Sequence, residues 1–178
     1  PPRSTLFPYT TLFRSRLRDA AILLWPGYCH VHQIFTVAQC HAVRQRLPGV
    51  RIVVHPEAPW DVVQAADLAG STEYIIKVVE ESHAGDAWAV GTEANLVARL
   101  ARRHAPAKRV VNLADTPRMC PTMHKIRPRY LLWALDELAA GRVVNRVAVS
   151  PAAAREARVA LKRMLDNIPQ NPVAVSGG

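Results

Sequence analysis

Two cysteines in this chain fall in segments that read as loops after short apolar strands: Cys29, in Cys29-His30-Val31-His32, and Cys120, in Met119-Cys120-Pro121-Thr122-Met123. A loop thiol in a reducing compartment reads as a nucleophile or a metal ligand, where a helical one is more often a small core residue. Cys40 is of the second kind, because it falls inside an apolar-periodic helix beside Val37 and Val43. His55-Pro56-Glu57 brings an imidazole and a carboxylate two residues apart at a strand end. An extended backbone there, favoured before proline, would send both side chains to one face, where they could act as general acid and base near neutral pH. Gly70-Ser71-Thr72-Glu73 opens a helix with two hydroxyls beside free backbone N–H groups, which suits a phosphate or carboxylate, although the motif alone reads better as an ordinary cap. Gly91-Thr92-Glu93 reads the same way, as a turn and a cap. The cluster Cys29, His30, His32, Cys40 and His41 has the right donor types for zinc, but not the two close pairs about twelve residues apart that a compact finger needs.

The elements that must position these residues alternate. Ala21–Trp25 reads as a buried strand stopped by Pro26-Gly27. Thr36 caps a helix to Leu47, which Pro48-Gly49 ends, and Arg51–Val54 is a β-branched strand. Trp60–Ala69 reads as one helix, and Ser71 opens another to about Ser82. Trp88–Val90 is a strand, Glu93–His104 a helix, and Arg109–Leu113 a strand. Arg129–Ala140 and Pro151–Asn167 are the last helices, the second with proline in its first turn. Short apolar strands between helices predict an α/β fold, with a parallel sheet covered on both faces in three layers. Ligands of such sheets sit beyond the carboxyl ends of the strands. Cys29, His55, Glu57, Thr92 and Cys120 all fall there, which predicts one shared site.

Composition narrows the class. Of 178 residues, 49% are apolar and 21% charged, which excludes a disordered chain. The longest apolar run is too short to span a bilayer, no signal-peptide pattern opens the chain, and three cysteines do not make a disulfide framework. A cytoplasmic setting with free or metal-bound thiols follows as the expectation. Lys+Arg is 23 against 14 Asp+Glu, a balance of +9, but the arginines are scattered and aromatics are 6%, so neither nucleic acid nor membrane is expected as a partner. Residues 1–15 repeat Thr-Leu-Phe without helix or strand periodicity and read as a non-native leader, and 169–178 as a disordered tail.

In their order and spacing, several segments together resemble the C-terminal half of the quinolinate synthase family. They are Trp25-Pro26-Gly27-Tyr28-Cys29-His30-Val31-His32, Arg51–Glu57, Ala66–Ile75, Val90-Gly91-Thr92-Glu93 and Met119–Met123. The resemblance implies a pseudo-threefold arrangement of three similar α/β domains. On it, 16–32 would end the middle domain, 33–126 would be the last domain, and 127–168 would be C-terminal helices. It implies condensation of iminoaspartate with dihydroxyacetone phosphate to quinolinate, on the de novo route to NAD, at a [4Fe–4S] cluster held by three cysteines. Cys29 and Cys120 match the second and third of these. His32 matches a histidine near the open iron, His55 a substrate-binding residue, and Glu57 a substrate-binding and acid/base residue. Ser71 and Thr72 match hydroxyls that hold a substrate carboxylate or phosphate.

The departures are also legible. The first cluster cysteine belongs to an N-terminal domain absent from this chain, Cys40 is placed mid-helix, and Gln33 stands where the family often carries an acidic residue. The expectation is a chain that is inactive alone and exposes apolar surface where the missing domain would pack. Two alternatives stay open: a zinc hydrolase using Cys29, His32 and His55 with Glu57 as base, and a non-catalytic module binding anions or nucleic acid.

Overall fold

The computed structural model describes residues 27–166. The expected strand at Ala21–Trp25, the leader at 1–15 and the tail at 169–178 lie outside the described residues. The described residues divide into two compact units, the first ending at 124 and the second beginning at 125.

The first unit is an α/β sandwich. Its elements are α1 (Val37–Arg46), β1 (Arg51–Val54), α2 (Trp60–Ala65), β2 (Leu68–Ala69), α3 (Thr72–Glu81), β3 (Ala87–Gly91), α4 (Ala94–His104) and β4 (Arg109–Asn112). The four strands form one sheet in the order β2-β1-β3-β4, every pair parallel. Parallel strands leave no exposed face, and the strand residues alternate between two cores. Ile52, Val54 and Ala89 pack with Phe35, Cys40 and Val43 of the α1 region and Val62 of α2. Val53, Trp88, Val90 and Val110 pack with Ile75 and Val79 of α3 and Val97 and Leu100 of α4. This is the predicted three-layer order, with α1 and α2 on one face and α3 and α4 on the other.

The ends of these elements follow local chemistry. Thr36 caps α1 as expected: its Oγ1 accepts the Gln39 N–H at 3.3 Å, and the Gln39 side chain accepts the Thr36 N–H at 3.0 Å. Ser71 Oγ accepts the Tyr74 N–H at 3.2 Å and starts α3. Lys108 Nζ closes the other end of α3 on the carbonyls of Val79 and Glu80, at 2.7 and 2.8 Å.

One element departs from the sequence expectation. The helix expected over Trp60–Ala69 ends at Ala65, and Leu68–Ala69 pairs with Val53–Val54 as β2. The cause is Asp67. Its N–H donates to the Ile52 carbonyl at 3.0 Å, and its carboxylate accepts the Ile52 N–H at 2.6 Å and the Arg44 guanidinium at 3.0 Å. The open edge of β1 thereby captures a segment that would otherwise continue the helix. Smaller shifts occur elsewhere: α4 starts at Ala94 after a Glu93 cap, and the helix expected from Arg129 starts at Pro128.

The second unit holds α5 (Pro128–Ala139) and α6 (Pro151–Asp166). Pro128 occupies the first turn of α5, and Gly141, at φ +74°, stands just past its end. Among the described residues, no helix is long and apolar enough to cross a membrane.

Candidate metal and acid–base site

Cys29 opens a short turn, whose carbonyl accepts the N–H of His32 at 3.1 Å and of Gln33 at 3.2 Å. The turn runs into a 3-10 segment, His32–Ile34, anchored by the buried Val31 and Phe35 on either side. His32 is thereby turned inward and is 9% exposed.

Three side chains from two segments meet on its ring. Nδ1 lies 2.9 Å from Glu57 Oε2, and Nε2 lies 3.1 Å from Thr92 Oγ1. His55 stacks on it, with ring centroids 4.2 Å apart and planes at 10°. A carboxylate only accepts, so the ring's Nδ1–H faces Glu57, and in the neutral ring Nε2 accepts the Thr92 hydroxyl. One ligand atom each from Cys29, His32 and Glu57 lie within 4.8 Å of one another. A thiol, an imidazole and a carboxylate at that spacing are the donors a metal centre uses.

His55 and Glu57 converge, but not by the extended geometry expected. His55-Pro56-Glu57-Ala58 is a turn closed by the Ala58 N–H on the His55 carbonyl at 2.9 Å, and proline suits its second position. Glu57 Oε2 lies 3.6 Å from His55 Nδ1, and the Glu57 N–H donates to the same nitrogen at 3.3 Å. Gln33 Nε2 donates to the Glu57 carbonyl at 2.6 Å and ties this turn to the His32 segment. Burial holds His55 below the usual imidazole range, and the neighbouring His32 adds to that, against an opposing pull from Glu57.

Thr92 was expected to cap a helix. Instead Glu93 is the N-cap of α4, and Thr92, 3% exposed, turns to His32. Gly91 permits this crossing: a Cβ there would meet Val54 Cγ1 at 2.8 Å, while its carbonyl receives the His55 N–H at 3.1 Å. Sequence reasoning singled out the Gly91-Thr92-Glu93 string but gave the cap to the wrong residue. The signal available was the glutamate itself, whose negative charge the helix dipole favours at a helix start.

Cys120 follows β4 at the same edge of the sheet. Its N–H donates to Glu93 Oε1 at 3.3 Å, and its Sγ lies 2.9 Å from Thr122 Oγ1. The Thr122 side chain, with backbone bonding from Met123 and Thr122, holds this thiol below the ordinary cysteine range despite burial and the Glu93 charge. Cys120 is not a member of the Cys29, His32 and Glu57 group. Cys40 is fully buried in the α1 core, where burial pushes its thiol up, and it faces no other donor of the site. Ser71 and Thr72 lie exposed at the start of α3, after β2, at the same carboxyl edge of the sheet.

The family model described as quinolinate synthetase A protein matches residues 6–166. The chain is similar to the quinolinate synthase of Corynebacterium glutamicum, at 48% identity over 162 residues, covering 91% of this chain and 41% of that protein. It is also similar to that of Acidobacterium capsulatum, at 49% over 152 residues, covering 85% and 41%. The quinolinate synthase of Streptomyces coelicolor is 48% identical over 159 residues, covering 89% and 40%. The chain thus spans about two fifths of the length of these curated relatives. The family-model match over residues 6–166 and relatives 48–49% identical over most of the chain lead to one conclusion: the chain belongs to the quinolinate synthetase A protein family.

Proposed function

We propose that this chain supplies part of a quinolinate synthase site that condenses iminoaspartate with dihydroxyacetone phosphate to quinolinate for NAD biosynthesis in the cytoplasm. Cys29 and Cys120 would hold a [4Fe–4S] cluster in it. The observation that carries the reading is the convergence of Cys29, His32 and Glu57 at the carboxyl edge of a parallel sheet. The donor chemistry fits at two positions: iron–sulfur clusters take thiolates, Cys29 has a free thiol facing the site, and Cys120 has a free thiol biased toward thiolate. Cys40 is fully buried in the core, which leaves it unsuited as a third ligand, and that ligand is assigned to a domain outside this chain. When bound, a cluster with one iron free of protein thiolate supplies a Lewis acid for substrate oxygens.

The chain's own residues then divide the remaining work. Glu57, held against both imidazoles, takes and returns protons through Oε2. His32, fixed by Glu57 and Thr92, presents an oriented ring that cannot rotate without losing two bonds. His55, favoured as the neutral ring, offers a hydrogen-bonding face to substrate. Ser71 and Thr72 bring hydroxyls and helix N–H groups that suit a carboxylate or phosphate.

A zinc-hydrolase reading has the same donor cluster behind it, since Cys, His and carboxylate suit zinc. It needs Cys29, His32 and His55 as ligands with Glu57 free as base. The geometry instead leaves His55 outside the grouped donors, stacked on the His32 ring.

The test is anaerobic iron and sulfide analysis of the chain joined to the remainder of its protein, beside the 178-residue chain and Cys29→Ser and Cys120→Ser variants. About four irons and four sulfides per longer chain, lost in both variants, is the expected result. Zinc, or no metal in any preparation, would overturn it. Turnover is expected from the longer chain only.

A further inference from the structure

We propose that Glu93 is a positioning residue, whose carboxylate clamps the Cys120 loop onto the start of α4 and so leaves Thr92 free to hold His32. The inference rests on the reading above in one respect: it is there that Cys120 is assigned to the site.

Glu93 is 8% exposed, and both its oxygens are used. Oε2 accepts the N–H of Asn95 at 2.8 Å and of Leu96 at 3.3 Å, which is the capping role. Oε1 accepts the Asn95 side-chain amide at 2.9 Å and the Cys120 N–H at 3.3 Å. A second backbone bond holds the loop at another point, from the Ala94 N–H to the Arg118 carbonyl at 3.2 Å. A negative charge at a helix start is favoured by the helix dipole, so the clamp and the cap support each other. The length of the side chain matters. The usual cap residues, Ser, Thr, Asp and Asn, reach only their own helix, whereas glutamate carries one more methylene than aspartate and spans to the neighbouring loop.

The consequence is an exchange of roles between adjacent residues. Had Thr92 capped α4, its hydroxyl would have been used on helix N–H groups. With Glu93 in that place, Thr92 Oγ1 lies 3.1 Å from His32 Nε2. Two neighbouring residues thus connect the two cysteine-bearing segments: Glu93 to the Cys120 loop, and Thr92 to the ring beside Cys29.

Glu93→Asp and Glu93→Ala in the full 178-residue chain test this. Aspartate keeps a preferred cap but is too short for Cys120, so it separates clamping from capping. The readouts are the iodoacetamide labelling rate of each cysteine by peptide mass spectrometry, and amide exchange over 118–122. Labelling of Cys120 and exchange of its amide should rise about tenfold in both variants through local opening, while Cys40 labelling stays unchanged and Glu93→Asp melts within about 3 °C of the parent. If Glu93→Ala does not fold, Glu93→Asp decides alone. Cys120 labelling at the parent rate in the aspartate variant overturns the proposal. So does an equal rise at Cys40, which would make Glu93 only a helix cap. Failure of the underlying reading is separately visible: iron retained in Cys120→Ser removes Cys120 from the ligand set without changing these rates.

Discussion

His32 is the residue on which the site turns. Each ring nitrogen has a partner, and its face is covered by His55. Replacing Glu57 by Gln removes the carboxylate that fixes one side of that ring. In the longer protein, Glu57→Gln should lower kcat by about 10²–10⁴-fold, the range for a positioned acid–base group, with little change in Tm. Steady-state kinetics beside a melting curve would check it, and an unchanged kcat would remove Glu57 from the acid–base role. His55 carries a pH signature. Its folded-state pKa lies below the ordinary 6.5, so below that pH the unfolded chain binds more protons than the folded one. Stability is therefore full above about pH 6.5 and falls as the pH drops through the window below it. Urea midpoints at pH 7.5 and 5.5 should show a drop in the parent and a smaller drop in His55→Asn; equal drops would mean that other groups carry the acid sensitivity.

At the scale of elements, β3 carries the fold. It lies between β1 and β4, and Trp88 is fully buried in the core shared with α3 and α4. The Arg51 guanidinium lies 4.4 Å from the Trp88 ring centroid, across the β1–β3 register. Trp88→Ala should cost about 3–5 kcal/mol from lost burial and the cavity left behind, read as a lowered urea midpoint. A loss under about 1 kcal/mol would mean that the core collapses around the gap. The same strand ends in Gly91-Thr92, so a weakened β3 should also loosen the His32 partner. β2 teaches the reverse lesson. Ala66-Asp67-Leu68-Ala69-Gly70 suits a helix and a short strand equally by pattern, and Asp67 decides it through bonds to Ile52 and Arg44.

At the scale of the whole molecule, the large exposed apolar side chains gather toward the C-terminal end. Met119, Met123, Ile126, Leu131, Leu135 and Leu138 are all more than half exposed. Within the second unit, Leu131, Leu135 and Leu138 lie along α5, and exposed apolar surface of this kind promotes association. The chain should therefore elute as mixed oligomers in size-exclusion chromatography with light scattering. Leu131→Glu with Leu135→Glu, one helical turn apart on α5 (Pro128–Ala139), should shift it toward monomer. A parent chain that is already monomeric would show that this surface is inert in solution.

Most of the α/β order was readable from the residues. The β-branched run Ile52–Val54 suits a strand buried on both faces, as parallel sheets have, and caps such as Thr36 and Ser71 mark helix starts by their own hydrogen bonds. These are local signals, because each rests on neighbours in the chain. Cys29, His32, His55, Glu57, Ser71, Thr72 and Cys120 were named by the family resemblance instead, and of them the structure groups Cys29, His32 and Glu57. Only the tertiary structure decided that Asp67 would open a strand, and that Glu93 would cap α4 while Thr92 turned to His32. Each of those outcomes depends on a partner distant in sequence: Ile52, Cys120 or His32. A residue with two acceptable local uses takes the one its distant partner stabilises, and that partner comes into reach only once the sheet has formed.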